Sequence, residues 1–111
     1  MLTKDLICVK SILDSIIKIE LYSLKFKSAD ELYSDSKTFD AILMNFMIIG
    51  EMVTKLSEDL KKKHSQVEWW KIKGLRNIVA HDYFGVDAEE IWQIVHQKIP
   101  ELKTFTKSII E

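Results

Sequence analysis

Arg76, Asn77, His81 and Tyr83 stand together in the run RNIVAHDY, and their types suit chemistry on a phosphate. Arginine offers a planar fork of donors that matches phosphate or carboxylate oxygens. Histidine, with an unperturbed pKa of about 6.5, takes or gives a proton near neutral pH. The chain writes all its other basic residues as lysine, so Arg76 is its one arginine. On a helix at about 100° per residue, Arg76 lies about 40° from Ile72 and about 60° from Val79, within the apolar stripe. An obligate cation there needs a partner or a ligand. His81 is about 140° round from Arg76, whereas Asn77 and His81 are one turn apart and share a ridge. Two sides of this helix end are thus in use, one by its own bundle and one by something else. The plain alternatives are an Arg76–Glu51 ion pair inside the bundle, a His81 that meets the helix dipole, and a Tyr83 at the bundle edge.

The elements that must carry these residues are helices. From Leu2 to Ser23, Leu6, Val9, Leu13 and Ile16 recur at spacings of three and four, with Ile12, Ile17, Ile19 and Leu24 beside them. Lys25 to Lys37 is polar and reads as a connection with one helical turn near Ala29 to Tyr33. A second helix is expected from about Ser36 to Lys63, on Phe39, Ile42, Phe46, Ile49, Val53, Leu56 and Leu60, the strongest periodic signal in the chain. Its flanking Leu43, Met47, Ile48 and Met52 call for a second contact surface. Ser65 and Glu68 have the spacing of a reciprocal helix cap, which predicts a third helix from Gln66. That helix carries Trp69, Ile72, Leu75 and Val79 and runs out near His81, before Gly85. Asp87 with Glu90 repeats the spacing for a fourth helix, and Pro100 predicts a kink or restart between Lys98 and Glu101. The expected fold is all-α, an up-and-down bundle of four to five helices in a single domain over residues 1–111.

Composition supports this. Three glycines and one proline are too few for the turns of an all-β fold, and 47% hydrophobic residues suffice for a core. A net charge of -1 excludes a generally basic nucleic-acid coat, although residues 61–81 hold six cations against one acid, Glu68, a local balance of +5. Lys61 to Lys63 read as a solvated C-terminal cap of the second helix. Trp69, Trp70 and Trp92, at helical spacings, read as core or interface packing rather than as base-stacking platforms. The lone Cys8 sits among apolar residues as a buried thiol, which suits a reducing cytosol. The longest charge-free stretch, Ala41 to Gly50, is about half of the ~20 residues that cross a bilayer. Neither a membrane anchor nor a secretion signal is expected, and the predicted location is cytoplasmic. His64, His81 and His96 lack metal-ligand spacing with Cys8 or the acids, so neither a metal nor another cofactor is expected.

In this arrangement the chain resembles the HEPN superfamily, and within it the HepT-like toxins encoded beside a minimal nucleotidyltransferase (MNT-type) antitoxin. The resemblance covers nearly the whole chain. It is carried by Asn45 with IIGEM at 48–52, LSEDLKKKH at 56–64, RNIVAHDYFGVD at 76–87 and IWQIVHQKIPELK at 91–103. It implies an all-helical homodimer whose two copies of the Arg-x4-His motif face each other across a cleft at the two-fold axis, forming a metal-independent endoribonuclease. Residue by residue, it makes Arg76 and His81 the catalytic pair, Asn77 a supporting polar neighbour and Tyr83 the site of modification. The antitoxin of such a type VII-like toxin–antitoxin pair transfers AMP from ATP to that tyrosine, adding charge and bulk that exclude RNA. This sequence departs from the usual pattern at Ser65 and Glu68, where relatives often carry prolines, and at Asp82, where they often carry glycine. Asp82 would add negative charge beside the cleft. The rivals are a non-catalytic HEPN module that binds nucleotide or a nucleotidyltransferase partner, and a plain dimerisation bundle with Arg76 held in an internal salt bridge.

Overall fold

The computed structural model describes residues 1–111, with the side chain of Asp82 outside the described set. Helix α1 spans Thr3–Ser23 and α2 Ala29–Ser34, the latter capped by Ser28, whose Oγ accepts from Glu31 N at 3.1 Å. Asp35 caps α3, Ser36–Lys55, through a bond from Thr38 N. Helices α4, Glu58–Lys63, and α5, Trp69–Asp82, follow, and then a 3-10 turn at Tyr83–Gly85. Helix α6, Ala88–Gln93, passes through a wide π turn at Ile94–Lys98 into α7, Ile99–Ile110. No strand occurs among the described residues, and the fold is all-α. No helix among them is long and apolar enough to cross a membrane.

Helix α3 is the centre of the bundle, with its largest contacts to α1 and α5; α7 packs on α1, and α6 meets α2. Ile12, Ile16, Ile19, Ile42, Phe46, Ile49, Ile91 and Ile99 make the driest part of one core cluster, and Cys8 is buried in it. Ile17 on α1 and Leu24, just past its end, instead remain exposed. Leu43 is buried, and Met52 packs against the same cluster, so the bundle itself covers part of the extra apolar surface of α3.

Three expectations need correction. The second helix does not run unbroken to Lys63: it stops at Lys55, and Ser57 starts α4 by accepting from Leu60 N at 3.2 Å. The break is invisible to periodicity because Leu56 and Leu60 keep the four-residue spacing across it and both are buried. Lys61 to Lys63 therefore end α4, not α3. The third helix begins at Trp69, not Gln66, and its N-cap residue Glu68 makes no side-chain cap bond. Here Val67 N donates to the His64 carbonyl at 3.1 Å, and so does the Trp69 indole N–H at 3.1 Å, which holds residues 64–69 as a turn with Val67 buried. Trp70 does not pack in the core; it is 71% exposed. Other expectations hold: α2 fills the predicted turn, Asp87 caps α6 by accepting from Glu89 N at 2.9 Å, and Pro100 lies in the first turn of α7. Pro100 follows on the π turn, where Ile99 N donates to the Ile94 carbonyl, and the widened turn accommodates the residue without an N–H.

Candidate active site

Arg76, Asn77 and His81 all lie in the second half of α5, and Tyr83 follows its last residue. Two clamps to α3 hold this segment. At the first, Gly50 lets the two backbones approach: a methyl group placed there would stand 2.6 Å from Arg76 Cβ and 2.9 Å from Arg76 N. Any larger residue would force the helices apart, so this glycine sets the depth at which Arg76 sits. Beside it, Arg76 Nη1 donates to Glu51 Oε1 at 2.9 Å, with the two side chains 35% and 43% exposed. At the second clamp, the Tyr83 hydroxyl donates to Asp40 Oδ1 at 2.9 Å. Helix α5 is thus pinned to α3 near Gly50 and, just past its own end, near Asp40.

The ion pair weighed for Arg76 does form, but in a different setting from the buried one imagined. Both partners remain open to solvent, and a solvated pair contributes little to stability and exchanges partners readily. A phosphate group can therefore compete with Glu51 for the guanidinium at low cost. Asn77 and His81 are exposed on the other side of the helix, in keeping with the rotation of about 140° between Arg76 and His81. One chain presents the arginine and the histidine on different faces, so the structure does not join them in a single intrachain pocket. The Asp82 side chain lies outside the described residues.

The hydrogen bond to Asp40, reinforced by the charge of that carboxylate, pushes the Tyr83 hydroxyl above the usual tyrosine range. The phenol is neutral at physiological pH and already aims its proton at an acceptor. A shallow cleft of about 280 Å³ lined by Tyr33, Asp40, Tyr83 and Phe84 opens beside it. Phe84 is fully exposed, and its ring lies 5.3 Å from that of Tyr83. Sequence reasoning missed Asp40, whose separation from Tyr83 by 43 positions leaves no local signal.

Comparison with known proteins gives the chain its relatives. A sequence-family profile described as "Ribonuclease HepT-like" matches residues 12–109. A putative RNase of Caldanaerobacter subterraneus subsp. tengcongensis is 36% identical over 84 residues, covering 76% of this chain and 75% of that protein. A probable ribonuclease HepT of Thermococcus cleftensis is 33% identical over 95 residues, 86% of each chain. A Methanocaldococcus jannaschii protein described as a gamma-glutamylcyclotransferase and putative RNase is 33% identical over 105 residues, 95% of this chain but only 47% of that longer one. No solved structure matches at a significant level. The chain belongs to the ribonuclease HepT-like family.

Proposed function

We propose that this protein is an endoribonuclease of the HepT-like type, acting as a homodimer without a metal, with Arg76 and His81 as its catalytic residues and Asn77 in support. The single observation that carries the reading is a solvent-open Arg76, set by Gly50 and loosely held by Glu51, on the helix that exposes His81. RNA brings its own nucleophile. The 2′-oxygen forms a bond to phosphorus as the bond from phosphorus to the 5′-oxygen breaks. One imidazole takes the 2′-hydroxyl proton, and a second gives a proton to the leaving 5′-oxygen. The guanidinium neutralises the non-bridging oxygens as charge gathers on them. Two symmetry-related His81 side chains divide the acid and base roles that one chain cannot supply. Family membership and the names of the relatives support RNA as the substrate.

In this reading the protein is the cytoplasmic toxin of a toxin–antitoxin pair, and its partner is an MNT-type nucleotidyltransferase that adds AMP to Tyr83. The Asp40 contact supports that role chemically. As the Tyr83 oxygen attacks the α-phosphorus of ATP and pyrophosphate leaves, the carboxylate that accepts the phenolic hydrogen bond is in place to take the proton. Purified protein incubated with RNA in the presence of EDTA tests the nuclease half. Wild type is expected to cleave and His81→Ala to be slower by about 10²-fold or more; equal cleavage by both removes the assignment. Intact mass after production with the partner tests the other half, through a gain of AMP units that Tyr83→Phe abolishes.

A further inference from the structure

Trp70, 71% exposed, borders a groove of about 420 Å³ between α4 and the start of α5. Val53 and Trp69 give the groove its apolar lining, and Lys61, Lys62 and Lys73 its charge. Among the described residues no acid lines it, and Lys62 and Lys73 make no salt bridge. Trp69 is fixed by its indole bond to the His64 carbonyl, while the neighbouring Trp70 ring stands out in solvent with Lys71 Nζ, paired with Glu68, 5.3 Å from its centroid on one face.

Beyond the groove, α5 continues the same surface. Gly74, Asn77 and His81 lie within about 40° of Trp70 around the helix axis, and the stripe from Trp70 to His81 is about 16 Å long at ~1.5 Å per residue. A methyl group built at Gly74 would meet nothing within 4 Å, so the surface is bare there. Asn77 and His81 are exposed at its far end. Lys73, one turn before Arg76, borders the same stripe.

An exposed aromatic ring beside two lysines outside any salt bridge, Lys62 and Lys73, is the chemistry of single-stranded nucleic acid binding. Every base has a π face to stack on the indole, and the lysines meet the flanking phosphates. We propose that Trp70, with Lys62 and Lys73, forms a substrate-positioning site for single-stranded RNA, from which the strand runs along the Gly74 surface toward His81. The proposal rests on the ribonuclease reading for its direction, but binding is measurable without cleavage.

The test is fluorescence anisotropy of a labelled single-stranded RNA oligonucleotide with the 111-residue protein, in a His81→Ala background so that cutting is suppressed, alongside its duplex form. Trp70→Ala is expected to weaken single-strand binding about ten-fold, with Trp70→Phe restoring most of it. Changing Lys62 and Lys73 to Ser is expected to reduce the salt slope of log affinity by about 0.7 for each lysine. The dimer, followed by light scattering, is expected to be unchanged throughout. Unaltered affinity in Trp70→Ala, equal affinity for duplex, or dissociation of the dimer on losing Trp70 would each overturn the proposal, the last by making Trp70 a contact between copies. Binding that depends on Trp70 in a protein that never cleaves RNA would keep this site and remove the nuclease. Cleavage that is indifferent to Trp70 would do the reverse.

Discussion

Asp5 and Glu51 each tie one helix to another through a carboxylate, and they do so in opposite settings. Asp5 on α1 is 2% exposed, and its two oxygens accept from Ser57 N at 2.9 Å and Ser57 Oγ at 2.6 Å. Glu51 on α3 is 43% exposed and holds Arg76 on α5 at 2.9 Å. A charge withdrawn from water must be matched by short bonds, and removing either side leaves an uncompensated group. A pair left in water loses little when parted. The first arrangement therefore fixes the start of α4, and the second leaves a guanidinium within reach of solvent, as the proposed role of Arg76 requires. Burial, more than distance, separates the two roles.

Removing the closed contact should produce the largest change in stability. Asp5→Ala is expected to cost about 3 kcal/mol, lowering the melting temperature by roughly 10 °C, because it strands Ser57 and frees α4. Calorimetry of the purified variant checks it, and a shift of a degree or two would place Asp5 with Glu51 as a dispensable contact. The same contact sets an acid response. Burial opposes ionisation of Asp5, but the bonds from the Ser57 hydroxyl and N–H outweigh it, and its carboxyl lies below the usual range. With the folded pKa depressed, the contribution of Asp5 is present above the ordinary carboxylate range near ~3.9 and is lost as pH falls through the folded value. Thermal melts from pH 6 down to about pH 2 should be less steeply pH-dependent in Asp5→Asn than in wild type.

Next in size is the approach at Gly50. Gly50→Ala puts a methyl group against Arg76 and is expected to cost about 1–3 kcal/mol through overpacking, despite the better helix propensity of alanine. It should also slow RNA cleavage by shifting Arg76. If the variant is more stable than wild type, the two helices do not meet there. Gly74→Ala is the contrasting control and the smallest effect: with nothing within 4 Å it should stabilise α5 by about 0.5–1 kcal/mol, read as a small rise in denaturant midpoint.

These contrasts also explain which parts of the molecule were legible in the sequence. Periodicity found α1, most of α3, and the end of α5 near His81, because their apolar residues repeat against a shared core. It overran the end of α3, since Leu56 and Leu60 stay in register while the backbone turns at Ser57. The turn at Ser57 is held by Asp5, 52 positions away, and no local pattern reports such a bond. Arg76 and His81 stand out as candidates by residue type and family resemblance alone. Glu51 was readable as a partner for Arg76, but not the exposure that decides what the pair is for. The core half of the reading for Trp70 fails because Trp70 lies about 160° round α5 from Ile72, opposite the apolar stripe, and is exposed.

The account is tested most directly by measuring, on one preparation of Arg76→Ala, both its melting temperature and its rate of RNA cleavage. A solvent-open catalytic arginine predicts a melting temperature within a few degrees of wild type, since the pair contributes at most about 1 kcal/mol, together with cleavage slowed by about 10²-fold or more. A large fall in melting temperature, with cleavage per folded molecule unchanged, would show instead that Arg76 is a structural tie like Asp5.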